Sequence, residues 1–346
     1  MSSKKGPVTI KDIANDLSIS PSTVSRALAD NPLVKLETRE AVKKLAKQLN
    51  YQPNFTALSL RSNKTRTIGI IIPQLVHEFF SLVIRGIEDC GYANGYNVLI
   101  CSTHDNYERE VMNANALLTG RVDGLLACIS RTTEKYDHLT QFEERDIPLV
   151  LFDCICDEIN TYKVVIDDFT AGYTATKHLV DIGCKRIAYV GGPSNQQTNK
   201  NRFLGYQKAL KEAGIELDDQ LHIHCKSGDF EAGKETSKAL IDRENIDGIF
   251  AGTDMLAIGA MKNIKGKGLQ IPNDVAVVGF SNWSISEIYE PSLSTIDQPG
   301  YEMGYKAAKL LINKIKEGPR NDFSQDYETV MLKTDLIIRE SSTKRS

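Results

Sequence analysis

Residues 9–28 read TIKDIANDLSISPSTVSRAL, and two short helices with a tight break are written in them. Ile10, Ile13, Ala14 and Leu17 recur at i, i+3, i+4 and i+7, the spacing that lays apolar side chains along one helix face. Thr9 stands just before that face with Asp12 three positions on, the pattern of an N-cap with an acidic first turn. Ser18, Ile19 and Ser20 interrupt the period. Ser20 then suits the cap of a second helix that starts at Pro21, where a missing N–H costs nothing. On that helix Val24, Ala27 and Leu28 face inward; Ser22, Ser25, Arg26 and Ala29 stay outside.

A helix start edged with small hydroxyls and one arginine suits the second helix of a helix-turn-helix laid in the major groove of DNA. Arg26 can reach two acceptors on a guanine edge, and Ser22, Thr23 and Ser25 can bond bases or phosphates. Two amphipathic surface helices with no partner would give the same periodicity, so the surrounding chain has to decide. The net charge of −3 conceals a strong asymmetry. Residues 1–66 hold 12 basic and 5 acidic residues, a net of +7, against 30 and 40 in the remainder, a net of −10. A basic head on an acidic body is the footprint of a nucleic-acid contact confined to one end.

The head continues past Asp30, Asn31 and Pro32 into a third helix, with Val42, Leu45, Ala46 and Leu49 on one face, and ends at Tyr51-Gln52-Pro53. The stretch NFTALSLRS at 54–62 has room for about two helical turns but no core of its own, so something else must order it. SNKTR at 62–66 reads as a polar, basic linker.

The whole chain, at 346 residues, is long for one core and implies two or three domains. No run of 18 apolar residues marks a membrane span, and the N-terminus lacks the apolar centre of a signal peptide, so a cytoplasmic protein is expected. Seven cysteines, at 90, 101, 128, 154, 156, 184 and 225, include no CxxC pair. Cys154-x-Cys156 and His222-x-His224-Cys225 do not supply four ligands at a familiar spacing, so neither a metal nor another cofactor is expected.

From Thr67 the period changes. IGIIIP at 68–73 is a short continuous apolar run, the mark of a buried parallel strand. Helices over 80–94, 107–119 and 134–143 then alternate with strands over 96–101, 123–127 and 148–152. The alternation restarts near Val164 and runs through helices over 169–182, 201–213, 231–242 and 254–265, with strands at 186–190, 221–225, 248–251 and 275–279 between them. Strand 294–297, helix 301–317 and strands 328–332 and 336–339 close the chain. The pattern predicts two α/β lobes of doubly wound parallel sheets, joined by crossovers, with a cleft at the strand ends where open α/β sheets bind ligands.

VTIKDIANDLSISPSTVSRAL, TREAVKKLAKQLNYQPN and the segment 57–60 together resemble the LacI/GalR family of bacterial transcription regulators, densely over the first 66 residues and more loosely almost to the C-terminus. The resemblance implies a three-helix head over 1–50, a hinge helix and linker over 51–66, and a periplasmic-binding-protein-like core. Its N-terminal lobe would take 67–166 and 296–326, its C-terminal lobe 167–295 and 327–341, with a tail over 342–346. It implies base contacts from Pro21, Ser22 and Arg26, phosphate contacts from Thr23 and Ser25, and further DNA contacts from Thr9, Asn31, Tyr51, Asn54 and Ala57. Leu60 would wedge into a base step of the minor groove, an apolar insertion that unstacks DNA for a few kcal/mol.

Past the strand ends stand Phe79, Phe80, Asp153, Thr198, Arg202, Phe230, Thr253, Asp254 and Ser281 with Asn282, a set whose rings and bidentate polar groups suit a neutral polyol. The same positions match effector contacts in the family. Ser281 departs from the aspartate common there, His77-Glu78 from Asn-Pro, and Gly300 from an aromatic in some relatives. The reading is therefore a non-enzymatic repressor of double-stranded DNA, a homodimer on a near-palindromic operator, controlled by a sugar-like effector. A purine-responsive corepressor type, a global regulator docking a phosphocarrier protein, and a sugar-binding protein without a DNA role are the alternatives.

Overall fold

Residues 8–51, 64–243, 245–318 and 327–343 are described by the structure, a computed structural model. The chain divides into two compact units, Met1–Thr65 and Arg66–Ser346.

In the first unit the described helices are α1 (Ile10–Asp16), α2 (Pro21–Leu28) and α3 (Leu36–Gln48). Asp12 Oδ2 accepts from both the Thr9 amide (2.9 Å) and the Thr9 hydroxyl (2.8 Å), and Ser20 Oγ accepts from the Thr23 amide at 3.1 Å. These bonds satisfy N–H groups that each helix start would otherwise leave open. Between α1 and α2 the chain turns at Ser18, in a left-handed conformation with φ 53°. Ile13, Ala14, Val24, Ala27, Val34, Val42 and Ala46 form the small core, with Leu17, Leu28, Leu45, Leu49 and Tyr51 packed around it. The predicted hinge helix, with Asn54, Ala57 and Leu60, lies outside the described residues.

The second unit holds two six-stranded sheets. The first is ordered β11-β5-β4-β3-β1-β2, from β1 (Thr67–Ile72), β2 (Asn97–Ser102), β3 (Gly124–Ala127), β4 (Leu149–Phe152), β5 (Tyr162–Ile166) and β11 (Thr329–Leu332). Its neighbours all pair in parallel. The second is ordered β12-β10-β9-β8-β6-β7, from β6 (Ile187–Gly191), β7 (His222–His224), β8 (Gly248–Ala251), β9 (Ala276–Ser281), β10 (Ser294–Asp297) and β12 (Asp335–Ile337). Only β12 runs antiparallel there, an exception to the all-parallel expectation.

Helices α4 (Glu78–Ala93), α5 (Tyr107–Thr119), α6 (Asp137–Glu143) and α12 (Gly300–Glu317) serve the first lobe. Helices α7 (Asp168–Asp181), α8 (Gln197–Glu212), α9 (Phe230–Arg243), α10 (Asp254–Gly266) and the short α11 (Ser284–Ile288) serve the second.

The strand pairing corrects three of the expected boundaries. Residues 327–341 do not all belong to the second lobe: Thr329–Leu332 pairs with Lys163–Ile166 of the first sheet, and only β12 returns to the second. Ile296 and Asp297 stay in the second sheet, paired with Phe280 and Ser281, so that crossover falls after Asp297. Ser342 is no free tail residue either. It is fully buried, bonded to Ser294 Oγ at 2.6 Å and to His178 Nε2 at 2.7 Å. Apolar periodicity marks a strand but not its partner, so the sheet a returning strand joins is settled by which edge is open.

Close helix crossings set the width of each lobe. A Cβ on Gly304 of α12 would stand 2.0 Å from the Val83 carbonyl oxygen, and one on Gly86 of α4 2.2 Å from that of Tyr301. In the second lobe a Cβ on Gly172 of α7 would stand 2.3 Å from the Arg202 carbonyl oxygen. Backbone cannot yield as a side-chain end can. Gly304→Ala should therefore destabilise the protein by about 1–3 kcal/mol, read as a lower urea midpoint at unchanged slope. A wild-type midpoint would show that α4 and α12 can part without loss.

Candidate functional site

On the head, Pro21, Ser22 and Arg26 are exposed, while Thr23 and Ser25 are half-buried. Ser20 Oγ lies 2.8 Å from both Ser22 Oγ and Thr23 Oγ1, so the cap organises the two hydroxyls beside it. Arg26 carries the full charge of this face, in the last turn of α2. Thr9 is bound to Asp12, and Asn31 Oδ1 accepts from the Leu33 amide at 2.9 Å, so both have local structural partners. The Tyr51 amide closes α3 on the Ala46 carbonyl, and partial burial pushes the Tyr51 hydroxyl pKa up.

In the core, a cleft of about 350 Å³ opens between the lobes at the strand ends. Of the nine expected effector residues, Phe79, Phe80, Asp153, Thr198, Arg202, Thr253 and Ser281 line it. Phe79 and Phe80 are also core residues, 3% and 6% exposed, with ring centroids 5.2 Å apart. Gly300 is tightly enclosed, since a Cβ there would stand 3.0 Å from the Phe79 carbonyl oxygen and 3.1 Å from Leu82 Cβ.

Two of the nine do not line the cleft. Asp254 is fully buried at the start of α10, where Oδ1 accepts from Thr295 Oγ1 at 2.5 Å and Oδ2 from the Trp283 amide at 2.7 Å. It holds the loop after β9 and has a structural role. Phe230 turns its ring toward the second lobe's core and Lys234, whose Nζ is 6.0 Å from the ring centroid. Both stand beside a strand end in sequence, but helix geometry points them back into the lobe. Thr253 lines the cleft with its hydroxyl already engaged, donating to the Gly228 carbonyl at 2.7 Å and accepting from the Leu256 amide at 3.1 Å.

Arg202 is the anchor of the site. Its Nε donates to Asp168 Oδ1 at 2.7 Å and its Nη1 to the Gly252 carbonyl at 2.9 Å, and the guanidinium lies 3.6 Å over the Phe280 ring. Burial works against its charge, but Asp168 more than offsets this and raises the Arg202 pKa. Burial also lifts the Asp168 carboxyl to about 6, with Arg202 pulling the other way.

Asp153 leaves the end of β4 in a left-handed conformation (φ 57°), and Ser281 ends β9 at φ 107°. Backbone strain of this kind persists where the surroundings over-determine it. Gln298 joins the two: Ser281 Oγ donates to Gln298 Oε1 at 3.1 Å, and Gln298 Nε2 donates to Asp153 Oδ1 at 2.8 Å. The other carboxylate oxygen receives only thiols, from Cys128 at 3.8 Å and Cys154 at 3.5 Å. Burial raises Asp153 while Arg202 lowers it, with burial winning. Thiols are weak donors, so Oδ2 retains capacity for a ligand hydroxyl.

Cys128, Asp153 and Cys154 are the one cluster of candidate metal ligands among the described residues. Burial holds the Cys128 thiol well above its usual range. The Cys128 hydrogen bond pulls Cys154 down, but burial and the Asp153 charge carry it up. The Cys128 and Cys154 thiols both donate to Asp153 Oδ2, which makes the trio a hydrogen-bonded floor of the cleft.

Gln298, Asp105, Arg131, Asn199 and Trp283 also line the cleft without having been expected there, as does His77, which the sequence marked only as a departure from the family pattern. Trp283 is the chain's single tryptophan, two positions past Ser281. Its chemistry beside a strand end was a usable signal. Gln298 gave none, because its place depends on where the crossover falls.

A helix-turn-helix followed by a two-lobed cleft defines a ligand-responsive DNA-binding regulator. The comparisons place the chain in a family: it belongs to the LacI family, matching "Bacterial regulatory proteins, lacI family" over residues 9–54 and "Periplasmic binding proteins and sugar binding domain of LacI family" over 65–340. It is a DNA-binding transcription regulator of the repressor class with an effector-binding core. The chain is 34% identical over 339 residues to catabolite control protein A of Priestia megaterium, covering 97% of this chain and 99% of that one. It is also 34% identical to the HTH-type transcriptional repressor PurR of Haemophilus influenzae (strain PittEE), covering 96% and 98%. The structure of a transcriptional regulator CelR–cellobiose complex aligns with TM-score 0.72 at 27% identity, over 96% of this chain and 99% of that one.

His77 supplies a pH test of this wall. Burial first, and the Arg202 charge second, lower its pKa to about 4 from 6.5. The unfolded chain binds a proton between those values that the fold refuses, so this group's contribution is full above pH 6.5 and is lost as pH falls toward 4. Asp168, raised from 3.8 to about 6, acts in the opposite sense: its ionisation removes stability as pH rises through that window. Comparing His77→Phe with wild type isolates the first effect. The variant should gain about 1–3 kcal/mol relative to wild type between pH 7 and pH 4.5 in urea unfolding. Parallel profiles would refute a buried neutral His77.

Proposed function

We propose that the cleft takes a neutral sugar or sugar derivative, whose binding governs how a homodimer holds a near-palindromic operator. The observation that carries the reading is the charge state of the floor. Arg202 is neutralised by Asp168, and Asp153 offers an acceptor with only thiol donors, so the site presents directional hydrogen bonds more than net charge. Phe79, Phe80 and Trp283 supply ring surface beside them, the combination that covers a sugar's apolar face while fixing its hydroxyls. The cellobiose-bound relative supports the class of ligand. The ring surface of Phe79, Phe80 and Trp283 also leaves a second reading, a purine stacked between the same rings.

On DNA, Arg26 reads one guanine per half-site, Pro21 and Ser22 add little hydrogen bonding, and Leu60 wedges into a base step. Thr23 and Ser25 hold phosphates. Pairing of two chains places two heads on the operator. The free edge strand β2 and neighbouring α5 carry exposed Leu99, Ile100 and Met112, apolar surface suited to such pairing.

Thermal unfolding against a panel of sugars and nucleobases tests the ligand. A sugar is expected to raise the melting temperature, by linkage of about 2.7 kcal/mol at a hundredfold excess over Kd. Stabilisation by a nucleobase alone would replace the sugar reading with the purine one. For the head, Arg26→Ala should relax specificity at one base pair per half-site by about 1–3 kcal/mol. Equal weakening on every sequence would make Arg26 a phosphate contact instead.

A further inference from the structure

The two lobes meet at Glu78 and Ser284, which the effector reading leaves unused, beside His77 and Trp283 of the cleft wall. Glu78 opens α4 in the first lobe, and Ser284 opens α11 in the second, 206 positions away. Glu78 Oε1 accepts from the Ser284 amide at 2.9 Å, and Oε2 accepts from that amide at 3.1 Å and from the Ser284 hydroxyl at 3.0 Å. The adjoining residues repeat the pairing in apolar form. The His77 ring stands edge-on to the Trp283 ring, centroids 4.4 Å apart, with Phe80 5.2 Å from His77 on the other side.

A second set of bonds joins the same two bodies elsewhere on the rim. Arg131 of the first lobe, held by Asp105 at 2.9 Å, donates from Nη1 to the Lys226 carbonyl at 3.0 Å. Asn195 of the second lobe donates to the Arg131 carbonyl at 2.9 Å.

We infer that His77-Glu78 and Trp283-Ser284 form an interlobe latch that holds the cleft shut, with Arg131 as its counterpart. The inference rests on reading the cleft as the effector site. Among the described residues the chain crosses between the lobes three times, after β5, after β10 and between β11 and β12, and these connections are where the two bodies can hinge. Bonds between residues so far apart in sequence form only when the bodies close. A carboxylate receiving three hydrogen bonds supplies closing free energy that the effector need not. The apparent affinity then depends on the closed fraction, since a ligand that needs the closed form binds more weakly in proportion to that form's scarcity. His77 and Glu78 are thus positioning residues for the effector response, and Trp283 is both part of the latch and its reporter.

The chain's single tryptophan makes the test direct. In the full-length protein, Glu78→Ala should shift Trp283 emission to the red and at least double its quenching constant with acrylamide, while far-ultraviolet circular dichroism stays that of wild type. Arg131→Ala, which alters no residue of the aromatic contact, should also raise Trp283 quenching, because both sets of bonds close the same pair of bodies. Wild-type emission and quenching in Glu78→Ala would overturn the latch. So would a response confined to Glu78→Ala with none in Arg131→Ala, which would reduce His77–Trp283 to local packing. A ligand screen without a hit counts against the effector reading and leaves the tryptophan readout standing, so the two failures are distinguishable.

Discussion

A guanidinium buried between a carboxylate, a carbonyl and a phenyl face constrains the core more than any other single interaction. Removing Arg202 from water carries a penalty of several kcal/mol, which only close pairing offsets. Asp168 Oδ1, the Gly252 carbonyl and the Phe280 ring supply that pairing from α7, the end of β8 and β9. The arrangement requires α8 to lie against α7 at backbone distance, which Gly172 and Gly205 permit. One charge thus fixes the approach of two helices and the ends of two strands, and these are the elements that border the cleft. Loss of Asp168 would leave the guanidinium buried and unpaired, a more damaging change than loss of both partners.

Two polar side chains at the cleft acquire a physical sense around that centre. Ser281 donates to Gln298, which turns the amide so that its N–H₂ meets Asp153. A carboxylate at 281 could not donate, and Gln298 would have to present its N–H₂ to both sides. The neutral hydroxyl therefore sets the polarity of the whole relay. Similarly, Glu78 gives the rim of the first lobe an acceptor for Ser284. Together they place polar connections between elements of the cleft wall and between the lobes.

A regulator of this class needs two states of comparable free energy, because a ligand shifts an equilibrium only by its differential affinity for the two. The core is built for that. Each lobe has its own buried sheet, one apolar cluster runs through residues of both, and the hydrogen bonds of Glu78 and Arg131 join them at the cleft. Hydrogen bonds at the rim exchange with water for about 1 kcal/mol each, so they can part and re-form at little net cost.

The sequence by itself determined the local elements. The i, i+3, i+4 spacing around Ile13, the capping pairs Thr9–Asp12 and Ser20–Thr23, and the apolar runs such as that at 68–73 are fixed by contacts within a few residues, so they are legible without a fold. Arg202, Asp153 and Ser281 were legible too, because open α/β sheets place their sites at strand ends. What only the tertiary structure decided was where the chain crosses between lobes and which side chains those crossings bring together. Thr329–Leu332 joined the first sheet because its edge beside β5 was open to it, and apolar periodicity carries no information about a partner. Gln298 reached Asp153, 145 positions away, and Glu78 reached Ser284 for the same reason. Asp254 and Phe230, next to strand ends in sequence, were turned into the second lobe by the helices they begin. Side-chain direction at a helix start depends on how that helix packs, a long-range property that no short window of residues contains.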